Sequence, residues 1–439
     1  MNKIFILAIL VVGQLHAQSP FSLSAAKQYG LEAHLSVKNA QLDIAKAKEQ
    51  KKEYQAIGLP QVDISASFNN YINLPIQVVD AKFINPNAPD GETISFRAGT
   101  KYNSSANLQV NQLIFNGSYF IGVEAAKQIV NLQQTLLSQS QEEVLFNIIQ
   151  AYQLVAVSKE NVRFSDSMLR VTNQLIEKQK NYFDLGLITQ EEIDQLEYAK
   201  MTAKNTLTSA EIQLNNALTL LKMTMFYPMD QAIDITETVD DLLVKVSLKE
   251  AGSIGNNLTL QILQQQIDLD ELNIKNNKFA YLPSLAGYFQ QGYNAFRNEF
   301  DFFSDKPWFS QTFWGLQLNV PVLSSGQRKA RVEQTKIQKM KDENAFKITE
   351  NALRMQEIQA VNNLLGAQQK MELQKENIRL AGKIYDNARI KEAIGKETSI
   401  TVTQKYNQLM IAQAQYIGSL VDVFNAKLNL DKIYNQILK

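Results

Sequence analysis

The sequence predicts a mainly α fold with a β-barrel contribution, built as two tandem helix–strand–strand–long helix–helix repeats with four strands per chain. Three observations carry this prediction. The nine prolines leave 91–227 and 322–439 free of proline. The stretches between those territories alternate apolar and polar residues. The same landmarks also recur about 208 residues apart.

The chain opens on "MNKIFILAILVVGQLHAQ", where Lys3 is followed by an apolar run from Ile4 to Val12 and then by Ala17. Such a run is too short to span a bilayer as a helix. With its flanks it reads as a signal peptide, residues 1–17, and implies export. No later stretch reaches eighteen consecutive apolar residues. The first repeat is expected over 18–227 and the second over 251–439, with 228–250 as an equatorial or linker segment.

Strands are expected at about 61–71, 105–115, 284–293 and 311–322. In the first, Val62, Ile64, Ala66 and Phe68 are separated by Asp63, Ser65 and Ser67. In the last, Trp314, Leu316, Leu318, Val320 and Val322 alternate with Gly315, Gln317, Asn319 and Pro321. A period of two gives each strand one apolar and one polar face. Ordinary half-buried hairpins would show the same alternation, but ten-residue strands with flanking aromatics also suit a membrane barrel wall. Four strands cannot close such a barrel, and an open sheet edge is not tolerated in lipid, so several chains must share one.

Self-comparison supports the duplication. "LQVNQLIFNGS" from Leu108 pairs with "LQLNVPVLSSGQ" from Leu316, and Leu59-Pro60 with Leu282-Pro283. Pro60, Gly117, Pro283, Pro321 and Gly326 mark the helix–strand junctions. The long helices are expected over 118–181 and 327–392, each roughly 95 Å if continuous at 1.5 Å per residue. Ile148, Val155, Val162, Leu169 and Ile176 repeat every seven residues, beside a smaller row of Val144, Ala151, Ser158, Ser165 and Thr172. The second copy carries Leu364, Met371, Ile378 and Tyr385. Sustained heptads mean coiled-coil packing.

Each long helix then breaks. Gly186 suits the left-handed geometry that ends a helix, and Thr189 with Glu192 forms a capping box that starts the next. Leu187 and Ile188 lie between them. Gly395, Lys396, Glu397 and Thr398 form the matching break.

Composition narrows the function. Lys plus Arg and Asp plus Glu both number 44, with no basic block, which argues against nucleic-acid binding. Cysteine is absent and the only histidines are His16 and His34. No HExxH, GxSxG or phosphate loop is present. No catalytic residue, cofactor or metal is therefore expected. Glu142-Glu143 and Glu191-Glu192 are expected on solvated helix faces.

The paired junctions "NQLIFNGSYF" and "NVPVLSSGQRKA" and the paired breaks "YFDLGLIT" and "IKEAIGKET" resemble the TolC-like outer-membrane efflux protein (OEP) family over essentially the whole mature chain. The resemblance implies a homotrimer sharing a 12-stranded barrel in outer-membrane lipid of a Gram-negative bacterium, above a long α-helical periplasmic tunnel. It implies a passive exit duct, served by a periplasmic adaptor (membrane fusion) protein and an inner-membrane resistance-nodulation-division or ABC transporter. The tips Gly186, Leu187, Ile188, Thr189, Gly395, Lys396, Glu397 and Thr398 would then meet the adaptor. Some relatives narrow the periplasmic mouth with carboxylates six and nine residues after the second-repeat glycine. Those places hold Thr401 and Gln404 here, and Glu192 and Gln195 in the first repeat; the four form a candidate gate. The alternative is a non-channel periplasmic coiled-coil scaffold or adaptor.

Overall fold

A computed structural model of the chain describes residues 20–244, 246 and 252–438. The expected signal peptide lies outside the described residues, as do 245 and 247–250 of the linker segment. The elements run α1 (Leu23–Ala33), α2 (Leu35–Ala56), β1 (Gln61–Asn70), β2 (Ile76–Asp80), β3 (Thr93–Arg97), β4 (Tyr102–Phe115), α3 (Gly117–Asp184) and α4 (Gln190–Met225). They continue as α5 (Val239–Val244), α6 (Leu258–Phe279), β5 (Ser284–Arg297), β6 (Phe309–Asn319), α7 (Gln327–Ala393) and α8 (Ser399–Ile433).

Two compact units contain these elements, and they cut across the sequence repeats. One comprises Ala45–Asn131 and Gln265–Glu343; the other takes Leu132–Gln264 and Asn344 onward, with the N-terminal stretch to Ile44. The first holds an antiparallel sheet of order β1-β4-β5-β6, so the two repeats join through β4 and β5. Residues directly opposite one another share a face. Val62, Val110, Phe289 and Trp314 therefore line up across all four strands, while the neighbouring row is Asp63, Gln109, Gln290 and Phe313. Ile64 and Trp314 are 80% and 75% exposed, so the apolar face has no cover within the chain.

Two strand expectations need correction. The fourth strand stops at Asn319, short of the expected 322, because Pro321 has no N–H to give a ladder. The long loop of the first hairpin also carries a second, separate ribbon, β2 with β3, which pairs Ile76 with Arg97 through Asp80 with Thr93. Its strands are only five residues each and lie among Asn, Pro and Gly, which hid the alternation. The junction residues lie at element ends. Pro60 and Pro283 precede β1 and β5, and Gly117 opens α3. Pro321 follows β6, and Gly326, at φ +86°, precedes α7.

The other unit is helical. Its core gathers Ile148, Tyr152 and Val155 of α3, Leu221 and Met225 of α4, and Leu420 and Phe424 of α8. The hydroxyl of Tyr152 donates to the Phe21 carbonyl at 2.8 Å and also meets the Glu237 carboxylate, which caps the backbone N–H of Leu23 at 3.1 Å. The linker segment thereby holds the start of α1. His34 is structural: it caps the C-terminus of α1, and its ring lies edge-on to Phe226.

Glu142 departs from the solvated face expected of it. It is 5% exposed, one helical turn before Leu145, which packs on Leu428 and Ile437. Burial pushes its carboxyl up to about 7; Lys432 opposes this rise and Glu143 adds to it.

Candidate functional site: the paired helix breaks

Both breaks use one backbone device. At the first, the N–H of Gly186 donates to the Phe183 carbonyl and that of Leu187 to the Tyr182 carbonyl, each at 2.9 Å. At the second, Gly395 donates to Glu392 at 3.0 Å and Lys396 to Lys391 at 2.9 Å. This double bond pattern closes a helix on a left-handed residue. Gly186 and Gly395 have φ of +70° and +73°. Thr189 then caps α4: its hydroxyl accepts from the Glu192 N–H, while Glu192 Oε2 accepts from the Thr189 N–H at 2.9 Å. Thr398 caps α8 by accepting from the Thr401 N–H at 3.3 Å, and the two threonine hydroxyls lie 3.1 Å apart.

The two breaks lie side by side. Leu187, Ile188 and Glu192 line one cleft of about 410 Å³ together with Gly395, Glu397 and Thr398. Leu187 is 69% exposed, whereas Ile188 is half-buried against the cleft. Lys396 is exposed; Glu397 is half-buried and paired with Lys391 at 3.1 Å. Of the four candidate gate residues, only Glu192 reaches this cleft, and its carboxylate serves the cap. Gln195 is half-buried more than a turn into α4, Thr401 is half-buried in the first turn of α8 beside its cap, and Gln404 is exposed.

Beneath the tips lie contacts that the sequence reading missed. Glu392 is buried and takes Lys178 Nζ at 2.8 Å and the side-chain amide of the fully buried Gln179. These bonds tie α3 to α7 just before both chains turn. Extending the heptads by one step would have found the pair, since Gln179 follows Thr172 by seven residues and Glu392 follows Tyr385 by seven. The small row is in fact the better buried: Val144, Ala151, Ser158, Ser165 and Thr172 are all at or below 7% exposure. Deeper still, Tyr406 of α8 donates to the Met168 carbonyl at 3.1 Å and lies 2.8 Å from the Thr172 hydroxyl. Tyr385 stacks at a tilt on Tyr406, and burial pushes its hydroxyl up to about 12.

The arrangement suits mechanics rather than bond chemistry. Two short turns, each rigidly capped, present apolar and charged side chains over a polar latch. Among the described residues, no group of three His, Cys, Asp or Glu could hold a metal ion. None of the described helices is long and apolar enough to cross a membrane.

Residues 253–436 match the family model described as "Outer membrane efflux protein". The chain is 20% identical over 322 residues to outer membrane efflux protein BepC of Brucella suis, spanning 73% of this chain and 69% of that protein. Its fold matches the outer membrane protein VceC of Vibrio cholerae with a TM-score of 0.70, at 15% identity, over 94% of this chain and 95% of the other. It also matches the open state of the MtrE outer membrane channel of Neisseria gonorrhoeae, with a TM-score of 0.73 at 13% identity, over 95% and 89%.

Proposed function

We propose that this chain, whose residues 253–436 match the outer membrane efflux protein family, is a TolC-like protein of the outer membrane, not an enzyme, and forms a trimeric exit duct. It would serve a tripartite efflux or type I secretion assembly and conduct its cargo passively. The observation that carries the reading is the sheet: four strands, one uncovered apolar face, one polar face, and two strands, β1 and β6, each left with an unpaired edge. In lipid those edges must pair. Pairing β6 of one protomer with β1 of the next closes twelve strands over three copies, with the row of Asp63, Gln109, Gln290 and Phe313 inward.

The helical unit then forms the periplasmic part of the duct, and the paired breaks meet the adaptor. An inner-membrane transporter of the resistance-nodulation-division or ABC type supplies the energy, since nothing in the chain binds a nucleotide by a recognisable loop. The opening step parts the α3–α4 and α7–α8 hairpins, and so strains the bonds of Lys178 and Gln179 to Glu392. A scaffold or adaptor role fits less well, because it leaves the apolar sheet face without a place to go.

Fractionation and planar-bilayer recording test the proposal together. A heat-modifiable outer-membrane trimer that conducts ions is expected. A soluble periplasmic species, or trimers that never conduct even with adaptor present, would overturn it.

A further inference from the structure

The connection between β5 and β6 does not point away from the sheet. Phe300 packs edge-on against Phe68 of β1 and Tyr102 of β4, with ring centroids 5.9 and 6.0 Å apart. Phe302 reaches the same Phe68 at 5.6 Å and Trp308 at 6.4 Å. Phe68 shares its face of β1 with Val62 and Ile64. The aromatic group therefore continues the uncovered apolar face at the end of the sheet where β1 stops and β6 begins.

The loop is also held in place. Arg297, 6% exposed, donates to the carbonyls of Lys306 and Pro307 at 3.0 Å each and pairs with Asp301 at 3.3 Å. The hydroxyl of Ser304 donates to the Asp301 carbonyl at 2.7 Å. This frame presents Phe303 at 96% exposure and Phe300 at 65%. Beside them the Lys101 ammonium stands 5.2 Å over the Tyr102 ring. Rings with an adjoining amine match a lipid boundary, where the ring sits among acyl chains and the amine meets a phosphate.

We propose that the 298–308 loop is a lipid anchor, with Phe300 and Phe303 in the outer-leaflet acyl boundary and Lys101 at the phosphate of an outer-leaflet lipid. The anchor rests on the reading that the apolar sheet face lies in lipid. It would fix the height of the barrel in the membrane and keep the loop away from the exit.

The absence of cysteine makes the test specific, because Phe303→Cys creates a single labelling site. The full-length variant is labelled with an environment-sensitive fluorophore and reconstituted in phosphatidylcholine vesicles with and without phosphatidylglycerol. A quencher carried high on the lipid acyl chain should reduce the emission about twofold, while aqueous iodide has little effect. Phosphatidylglycerol should deepen the lipid quenching, and Lys101→Gln should remove that increment; an increment that survives the substitution overturns the role of Lys101. Quenching by iodide with none from lipid places the loop in water and overturns the anchor. Protection from both places Phe303 against protein and overturns it equally. The Trp308→Phe variant, which leaves Trp314 as the only tryptophan, separates the two levels. If brominated lipid quenches Trp314 but lipid does not quench the label, the anchor fails and the barrel stands. If Trp314 is also untouched, the barrel reading falls and the anchor with it.

Discussion

Gly186 and Gly395 hold backbone angles that L side chains reach only at a cost, and each is followed by the residues that face outward at the breaks. Leu187, with most of its surface exposed, is an apolar side chain at a tip with no cover from its own chain. Leu187→Asp is expected to weaken adaptor binding about tenfold, as removal of one buried apolar anchor does. Trimer yield should be unchanged; loss of the trimer would instead make Leu187 a packing residue. Asp270 of α6 makes a different prediction. It is buried, and burial, a hydrogen bond with Asp342 and that residue's charge push its carboxyl up to about 6, against the pull of Gln266 and Lys339. A carboxyl raised in the folded state stabilises it fully below the unfolded value of about 4 and loses that contribution as pH rises through 6. Melting temperatures at pH 4, 5 and 7 should fall across this window in the wild type and fall less in Asp270→Asn.

At the scale of the element, the long helices pack through heptad rows, and the small row of α3 and the row of α7 continue to polar residues, Gln179 and Glu392, that meet each other. Gln179 and Lys178 bind Glu392, and the bonds join the two hairpins that the proposed opening step would part. Hydrogen bonds to a charged group contribute about 1.5–3 kcal/mol each. Glu392→Gln keeps the shape and removes the charge. It is therefore expected to loosen the tips by about 2 kcal/mol, with faster amide exchange near the ends of α3 and α7. In bilayers the open-state lifetime of the trimer should rise; unchanged exchange and unchanged gating would assign the contact to folding alone.

For the whole molecule, the uncovered face of the sheet requires a solvent other than water. A lysine on that face at mid-membrane depth costs about 2–4 kcal/mol, whereas the lumen face carries no such cost. Ile64→Lys should therefore deplete the heat-modifiable trimer. Ser65→Lys, one residue along on the polar row, should leave it near the wild-type level. Equal loss in both variants would mean that β1 is not a wall between lipid and water.

Much of this protein was written locally in the chain. The proline gaps, the period of two in β1, the heptads of α3 and α7 and the cap of Thr189 with Glu192 each depend on residues within a turn or a strand of one another. The sequence by itself therefore determined the long helices, the four strands of the main sheet, their order and duplication and the place of the breaks, though not the β2–β3 ribbon. Contacts between distant residues were not legible, because their energy depends on partners that the folded chain supplies. Glu142-Glu143 looks like a solvated pair until folding buries Glu142 near Lys432 of α8; the heptads mark the positions of Gln179 and Glu392, but only the fold brings these residues, 213 apart, into contact. The joining of β4 to β5, the burial of Asp270 and the return of the 298–308 loop over Phe68 are of the same kind. Only the tertiary structure decided these, since burial and electrostatic shift belong to a position in space and not to a position in sequence.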